Sequence, residues 1–90
     1  MNTDIQKKSL RRLSLIRGQV DGLIRMVAAE RYCVDIIIQS SAVKEALSGV
    51  EDIVLDNHLT THVIEQMKSG KHKKAVEEIL KVYKLAQKKK

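Results

Sequence analysis

Ninety residues carrying a formal charge of +6, from 17 Lys and Arg against 11 Asp and Glu, are enough for one domain and too few for two hydrophobic cores. With no Trp, no Phe, only Tyr32 and Tyr83 as aromatics, no proline and four scattered glycines, the composition excludes a fold of short strands and hairpins and leaves an all-α one. The basic balance points to polyanionic partners. No apolar run approaches the roughly 18 to 20 residues of a bilayer span, and the polar start Met1 to Arg12 lacks a signal-peptide core, so a single cytoplasmic domain over residues 1–90 with no membrane partner is expected.

The first predicted helix runs from about residue 4 to residue 29. Asn2, Thr3 or Asp4 can cap it, and Leu10, Leu13, Ile16, Val20, Leu23 and Val27 alternate steps of three and four along one face. Gly18 and Gly22 cost this helix about 1 kcal/mol each relative to Ala, and close approach of a neighbouring backbone would account for them. Lys7, Lys8, Arg11, Arg12 and Arg17 load its first half with positive charge, the wrong sign for the helix dipole.

Glu30 to Cys33 interrupts the period, and Val34 to about Lys68 then reads as one long helix with Ile36, Val43, Leu47, Val50, Val54 and Thr61 in register. Ile36, Ile37 and Ile38 in succession make its start apolar nearly all round, as in a bundle of more than two helices. Ser69-Gly70 supplies a stop. A third helix from about His72 to Gln87 places Val76, Ile79, Leu80 and Tyr83 on one face and ends in Lys88-Lys89-Lys90, expected to fray. So thin a helical hairpin leaves apolar faces bare unless a second copy covers them, and a homo-oligomer follows. No phosphate-binding glycine loop and no Ser/His/Asp arrangement suggests an enzyme.

Three residues carry ligand chemistry. His58 and His62 are four apart on a predicted helix, so both imidazoles project from one face and can grip one ion. The single Cys33 cannot form an internal disulfide and is an apolar filler, a reactive thiol or a metal ligand. At 1.5 Å per residue it stands roughly 37 Å from His58 along one helix, so these residues can share an ion only between chains. Two such helices packed antiparallel in a symmetric dimer would create two equivalent sites. One thiolate and two imidazoles suit Cu(I) and can also hold Zn, Ni or Co with further ligands. His72, among lysines beyond the stop, reads as an exposed polar residue.

Over nearly its full length the chain resembles the copper-sensitive operon repressor family of bacterial metal sensors. The residues that carry the likeness are Arg12-Leu13, Ile16-Arg17-Gly18-Gln19 and Asp21-Gly22, then Tyr32-Cys33-Val34-Asp35, Gln39 with Ser41-Ala42-Val43, and Asn57-His58-Leu59-Thr60-Thr61-His62. The resemblance implies a three-helix protomer that forms an antiparallel four-helix-bundle dimer and then a dimer of dimers. It implies Cys33 of one protomer with His58 and His62 of another as metal ligands, and Tyr32 with Glu78 as the pair behind them that links the site to the last helix. The usual copper sensor has cysteine where His62 stands. The nickel/cobalt branch shares Cys33, His58 and His62 but adds a histidine near the N-terminus, and none precedes His58 here. Formaldehyde-responsive members carry proline where Asn2 stands, and persulfide sensors need a second cysteine at the position of His58.

No helix-turn-helix, zinc finger or aromatic platform is visible, so operator DNA would be met by a basic face. Arg12 matches the helix-one arginine of relatives; Lys8, Arg11 and Arg17 extend the surface, and Lys44 is a candidate to compensate for Gly49, which stands where relatives often carry a basic residue. The resulting expectation is a repressor that binds double-stranded operator DNA without metal and is released by Cu(I). The alternatives are a Ni-, Co- or Zn-responsive member and a basic DNA-binding protein with no sensing role.

Overall fold

The computed structural model describes residues 1–87, so the Lys88-Lys89-Lys90 tail lies outside the described residues. Among these the chain is helical with two turns and no strand: α1 (Thr3–Ala28), α2 (Cys33–Asn57), a π-helical segment (His58–Val63), α3 (Ile64–Lys68) and α4 (His72–Gln87). It divides into two compact units, Met1–Asp56 and a second beginning at Asn57.

In the first unit, Asn2 caps α1 by accepting the Ile5 N–H on Oδ1 at 2.8 Å, and Asp4 adds negative charge to the first turn, where the helix dipole favours it. The helix ends when the Glu30 N–H turns back to the Val27 carbonyl and the Arg31 N–H to the Met26 carbonyl, both at 3.0 Å. That closure puts Glu30 at φ 51°, a left-handed conformation more often given to glycine. Tyr32 then starts α2, its carbonyl accepting the N–H groups of Asp35 and Ile36.

The core of this unit is small. Ile16, Val43 and Val50 are buried, with Leu23 and Ala46 packed against them. Val43 and Val50 are seven apart and so share one face of α2. Many other apolar residues of both helices lie open: Ile24, Ile37 and Ile38 are each more than 60 % exposed. Of the triple isoleucine, Ile36 is half-buried, whereas Ile37 and Ile38 are uncovered within one protomer. Among the described residues no neighbouring backbone explains the helix-one glycines: a methyl group on Gly18 would meet nothing within 4 Å, and one on Gly22 only Arg25 Nη2.

In the second unit, the sequence predicts uninterrupted α-helix through Lys68, whereas residues 58–63 take the wider π form. Thr60 and Thr61 explain the change locally. Both hydroxyls donate to the Asn57 carbonyl, Thr61 at 2.5 Å, in competition with the backbone donor an α-helix would place there. After α3, Gly70 at φ +81° lets the Gly70 N–H reach the Met67 carbonyl and the Lys71 N–H reach the Gln66 carbonyl at 2.7 Å, the glycine-dependent helix stop expected of Ser69-Gly70. His72 is exposed, as expected, and its Nε2 lies 2.9 Å from the Met67 carbonyl, where a protonated nitrogen satisfies a helix-end acceptor. Ala75, 1 % exposed, is the buried residue of α4, and its small side chain lets α3 and α4 close on each other.

Candidate metal centre

His58 and His62 open and nearly close the π segment, and their ring centroids are 5.3 Å apart, tilted by 45°. The sequence expectation that both imidazoles share a face therefore holds. His58 is half-buried and His62 exposed. They line a cavity of about 460 Å³ together with Glu65, Gln66, Lys74 and Glu78.

Glu78 reaches this cavity from the second turn of α4. Its Oε2 lies 3.0 Å from His58 Nε2 and accepts a hydrogen bond from Gln66 Nε2 at 3.3 Å. The Gln66 bond does most to hold the Glu78 carboxyl below its usual range; desolvation works the other way, and the charges of His58 and Lys74 add to the lowering. A carboxylate can only accept, so His58 must carry a proton on Nε2 to bond it, which in the neutral ring leaves the Nδ1 lone pair free for a metal.

Cys33 is an exposed free thiol at the first position of α2, and Tyr32 beside it is 70 % exposed. The structure thus brings His58, His62 and Glu78 together in one unit, and places Cys33 and Tyr32 in the other. Among the described residues no three His, Cys, Asp or Glu side chains gather closely enough to hold an ion within one chain. The donor set itself, two adjacent imidazoles with one ring oriented by a carboxylate and an accessible thiol, fits a soft or borderline ion. Sequence reasoning missed Gln66, although it continues the step of four from His58 and His62.

The candidate DNA-contacting residues Lys8, Arg11, Arg12, Arg17 and Lys44 are all exposed. At 100° per residue Lys8, Arg11 and Arg12 share one stripe of α1, whereas Arg17 falls on the far side of the helix from Lys8. Arg12 reaches across to α2: its Nη1 lies 3.5 Å from where a methyl group on Gly49 would sit. This guanidinium supplies positive charge at mid-α2 from the neighbouring helix.

Architecture and donor set together define a small all-helical protein with metal-ligand chemistry on one helix face and a basic stripe on another. A family profile described as metal-sensitive transcriptional repressor matches residues 5–84. The copper-sensing transcriptional repressor CsoR of Bacillus subtilis (strain 168) is 44 % identical over 73 residues, 81 % of this chain and 72 % of the relative. The protein of the same name from Mycobacterium ulcerans (strain Agy99) is 37 % identical over 78 residues, 87 % of this chain and 67 % of the relative. The crystal structure of the copper-sensing repressor CsoR with Cu(I) from Geobacillus thermodenitrificans NG80-2 superposes with a TM-score of 0.89 at 31 % identity, covering 97 % of this chain and 91 % of that one. The chain belongs to the metal-sensitive transcriptional repressor family, whose members are regulators rather than enzymes. No helix among the described residues is long and apolar enough to cross a membrane.

Proposed function

We propose that this protein is a cytoplasmic, Cu(I)-responsive repressor, acting as one functional domain over residues 1–90, that holds operator DNA in its metal-free form and releases it when Cu(I) binds. The observation that carries this reading is the likeness, over nearly the whole chain, to a copper-sensing repressor solved with Cu(I), in a sequence that carries Cys33, His58 and His62 as candidate donors. Tyr32 and Glu78 stand behind the ligands, with the Glu78–His58 contact linking the centre to α4.

The site is shared between chains. Within α2, Cys33 and Asp56 are about 35 Å apart, and His58 follows only two residues later, a span that adds or removes at most about 8 Å. No side chain closes the remaining gap, so thiol and imidazoles meet only when two copies associate. The bare apolar residues of α1 and α2, Ile24, Val27, Ile37 and Ile38 among them, supply the surface for that association, and burying apolar area at about 25 cal/mol per Å² makes a homo-oligomer the stable form. An antiparallel four-helix-bundle dimer, paired again into a tetramer, satisfies both needs. Lys8, Arg11 and Arg12 form the main DNA-facing stripe, with Arg17 and Lys44 as flanking charges.

A second reading, a Zn-, Ni- or Co-responsive repressor, is favoured by His62 in place of a second thiolate and by the Glu65 carboxylate in the same cavity, both of which suit borderline divalent ions. Anaerobic titration of the reduced protein onto a fluorescent operator duplex, with and without each ion, tests both. Cu(I) is expected to lower DNA affinity by about 5- to 150-fold, the usual range of coupling between sites. Unchanged affinity with Cu(I) refutes the first reading, and release by a divalent ion alone supports the second.

A further inference from the structure

Gln66 is tied down more firmly than its place on a short helix requires. Its carbonyl accepts the Lys71 N–H at 2.7 Å and the Ser69 hydroxyl at 3.1 Å, which fixes its backbone at the α3–α4 turn. Its side chain crosses to α4, where Nε2 donates to Glu78 Oε2 at 3.3 Å, twelve residues further along the chain. The carboxylate has no proton to give, so the nitrogen end of the amide has to face it. The other end, Oε1, is buried with no partner among the described residues. Leucine or methionine would fill a similar volume without burying an unpaired carbonyl oxygen, so volume alone does not account for an amide here. The bond to Glu78 does.

Glu78 has a competing partner. Lys74 lies one turn earlier on α4 and lines the same cavity, at an i, i+4 spacing from which its ammonium can reach the carboxylate. A carboxylate on a flexible stem can turn toward that ammonium or toward His58. We propose that Gln66 is the positioning residue of the metal centre: its amide holds the Glu78 carboxylate on the His58 side, and so keeps the His58 proton on Nε2 and the Nδ1 lone pair available to a metal. This rests on the metal-sensing reading for its purpose, but the orientation it assigns is a property of the metal-free protein. It makes the α3–α4 turn, through Gln66, part of the machinery that presents His58.

The test uses the full-length, reduced oligomer and two near-isosteric variants, Gln66→Leu and Gln66→Met. Long-range 1H–15N NMR of the histidine rings in the metal-free protein at about pH 8, where an ordinary imidazole is neutral, reports the tautomer of His58. Wild type is expected to show one tautomer, with the proton on Nε2. Both variants are expected to move toward a mixture of the two, at unchanged helical content by circular dichroism. Cu(I) affinity, measured by anaerobic competition with bicinchoninate, should fall about tenfold, the low end of what partners behind metal-binding histidines supply. Adding Lys74→Met to either variant removes the competitor and is expected to restore much of the Nε2–H tautomer, which a merely structural defect would not do. An unchanged His58 tautomer in both Gln66 variants overturns the proposal, as does failure of Lys74→Met to shift it back. If wild type binds no Cu(I), the metal-sensing reading fails while the tautomer measurement still decides the role of Gln66.

Discussion

The proposed split of the metal donors between two chains has a quantitative consequence for mixed oligomers. Cys33→Ala removes the thiol and keeps the imidazoles; His58→Ala/His62→Ala does the reverse. Each variant alone is expected to bind almost no Cu(I), because every site lacks an essential donor. Because α2 carries Cys33 about 35 Å from its far end, a wild-type thiol and wild-type histidines can meet only across a dimer of one variant with the other. Such a mixed dimer holds one complete site and one that lacks every donor. Random mixing at equal amounts makes half of all dimers mixed, so the mixture should recover about a quarter of the wild-type copper, and pairing of dimers into tetramers leaves that fraction unchanged. The variants would be mixed in denaturant, refolded, checked for mixed oligomers by native mass spectrometry, and titrated anaerobically with Cu(I) against bicinchoninate. Mixed oligomers that bind no more copper than the separate variants would refute the shared site.

Four further outcomes follow from the same structure. Gly49→Ala should stabilise the protein by about 0.5 to 1 kcal/mol in urea unfolding, because a methyl group there meets Arg12 Nη1 at an ordinary van der Waals distance of 3.5 Å and raises helix propensity; a loss of stability would show that α2 needs the space. Gly70→Ala, forced to hold φ at +81°, should instead cost roughly 1 to 2 kcal/mol by the same measurement. Glu78 is held below its ordinary value of 4.5 in the folded chain, so the stability it contributes is present above that value and lost as pH falls through the lowered one; the gap in urea midpoint between wild type and Glu78→Gln should narrow as pH falls below 4.5, and a gap that stays level or widens below 4.5 would contradict the assignment. Arg12→Ala should weaken operator binding and reduce the log–log salt slope by about 0.9 for each phosphate that is no longer neutralised, and an unchanged slope would remove Arg12 from the interface.

Much of the fold was legible in the residues themselves. The apolar period of α1, the Glu30 interruption, the Ser69-Gly70 stop and the span His72–Gln87 all rest on local rules, side-chain spacing and capping, that act within a few residues. His58 and His62 were legible as a pair for the same reason, since four residues in a helix settle which face both occupy. The π form at residues 58–63 was not: it depends on hydroxyls of Thr60 and Thr61 winning the Asn57 carbonyl, a competition that spacing alone does not decide. Nor could the sequence place the Gln66 amide on Glu78, or the Arg12 guanidinium over Gly49, because each of these pairs joins two helices whose approach is set by a turn or a small core. Composition and periodicity thus determined that this chain is helical and basic, with apolar faces that one copy leaves bare. The family resemblance had already named Glu78; only the tertiary structure decided that its carboxylate meets His58 Nε2 and that Gln66 holds it there, since that depends on the φ of Gly70 and the burial of Ala75 bringing α3 and α4 together.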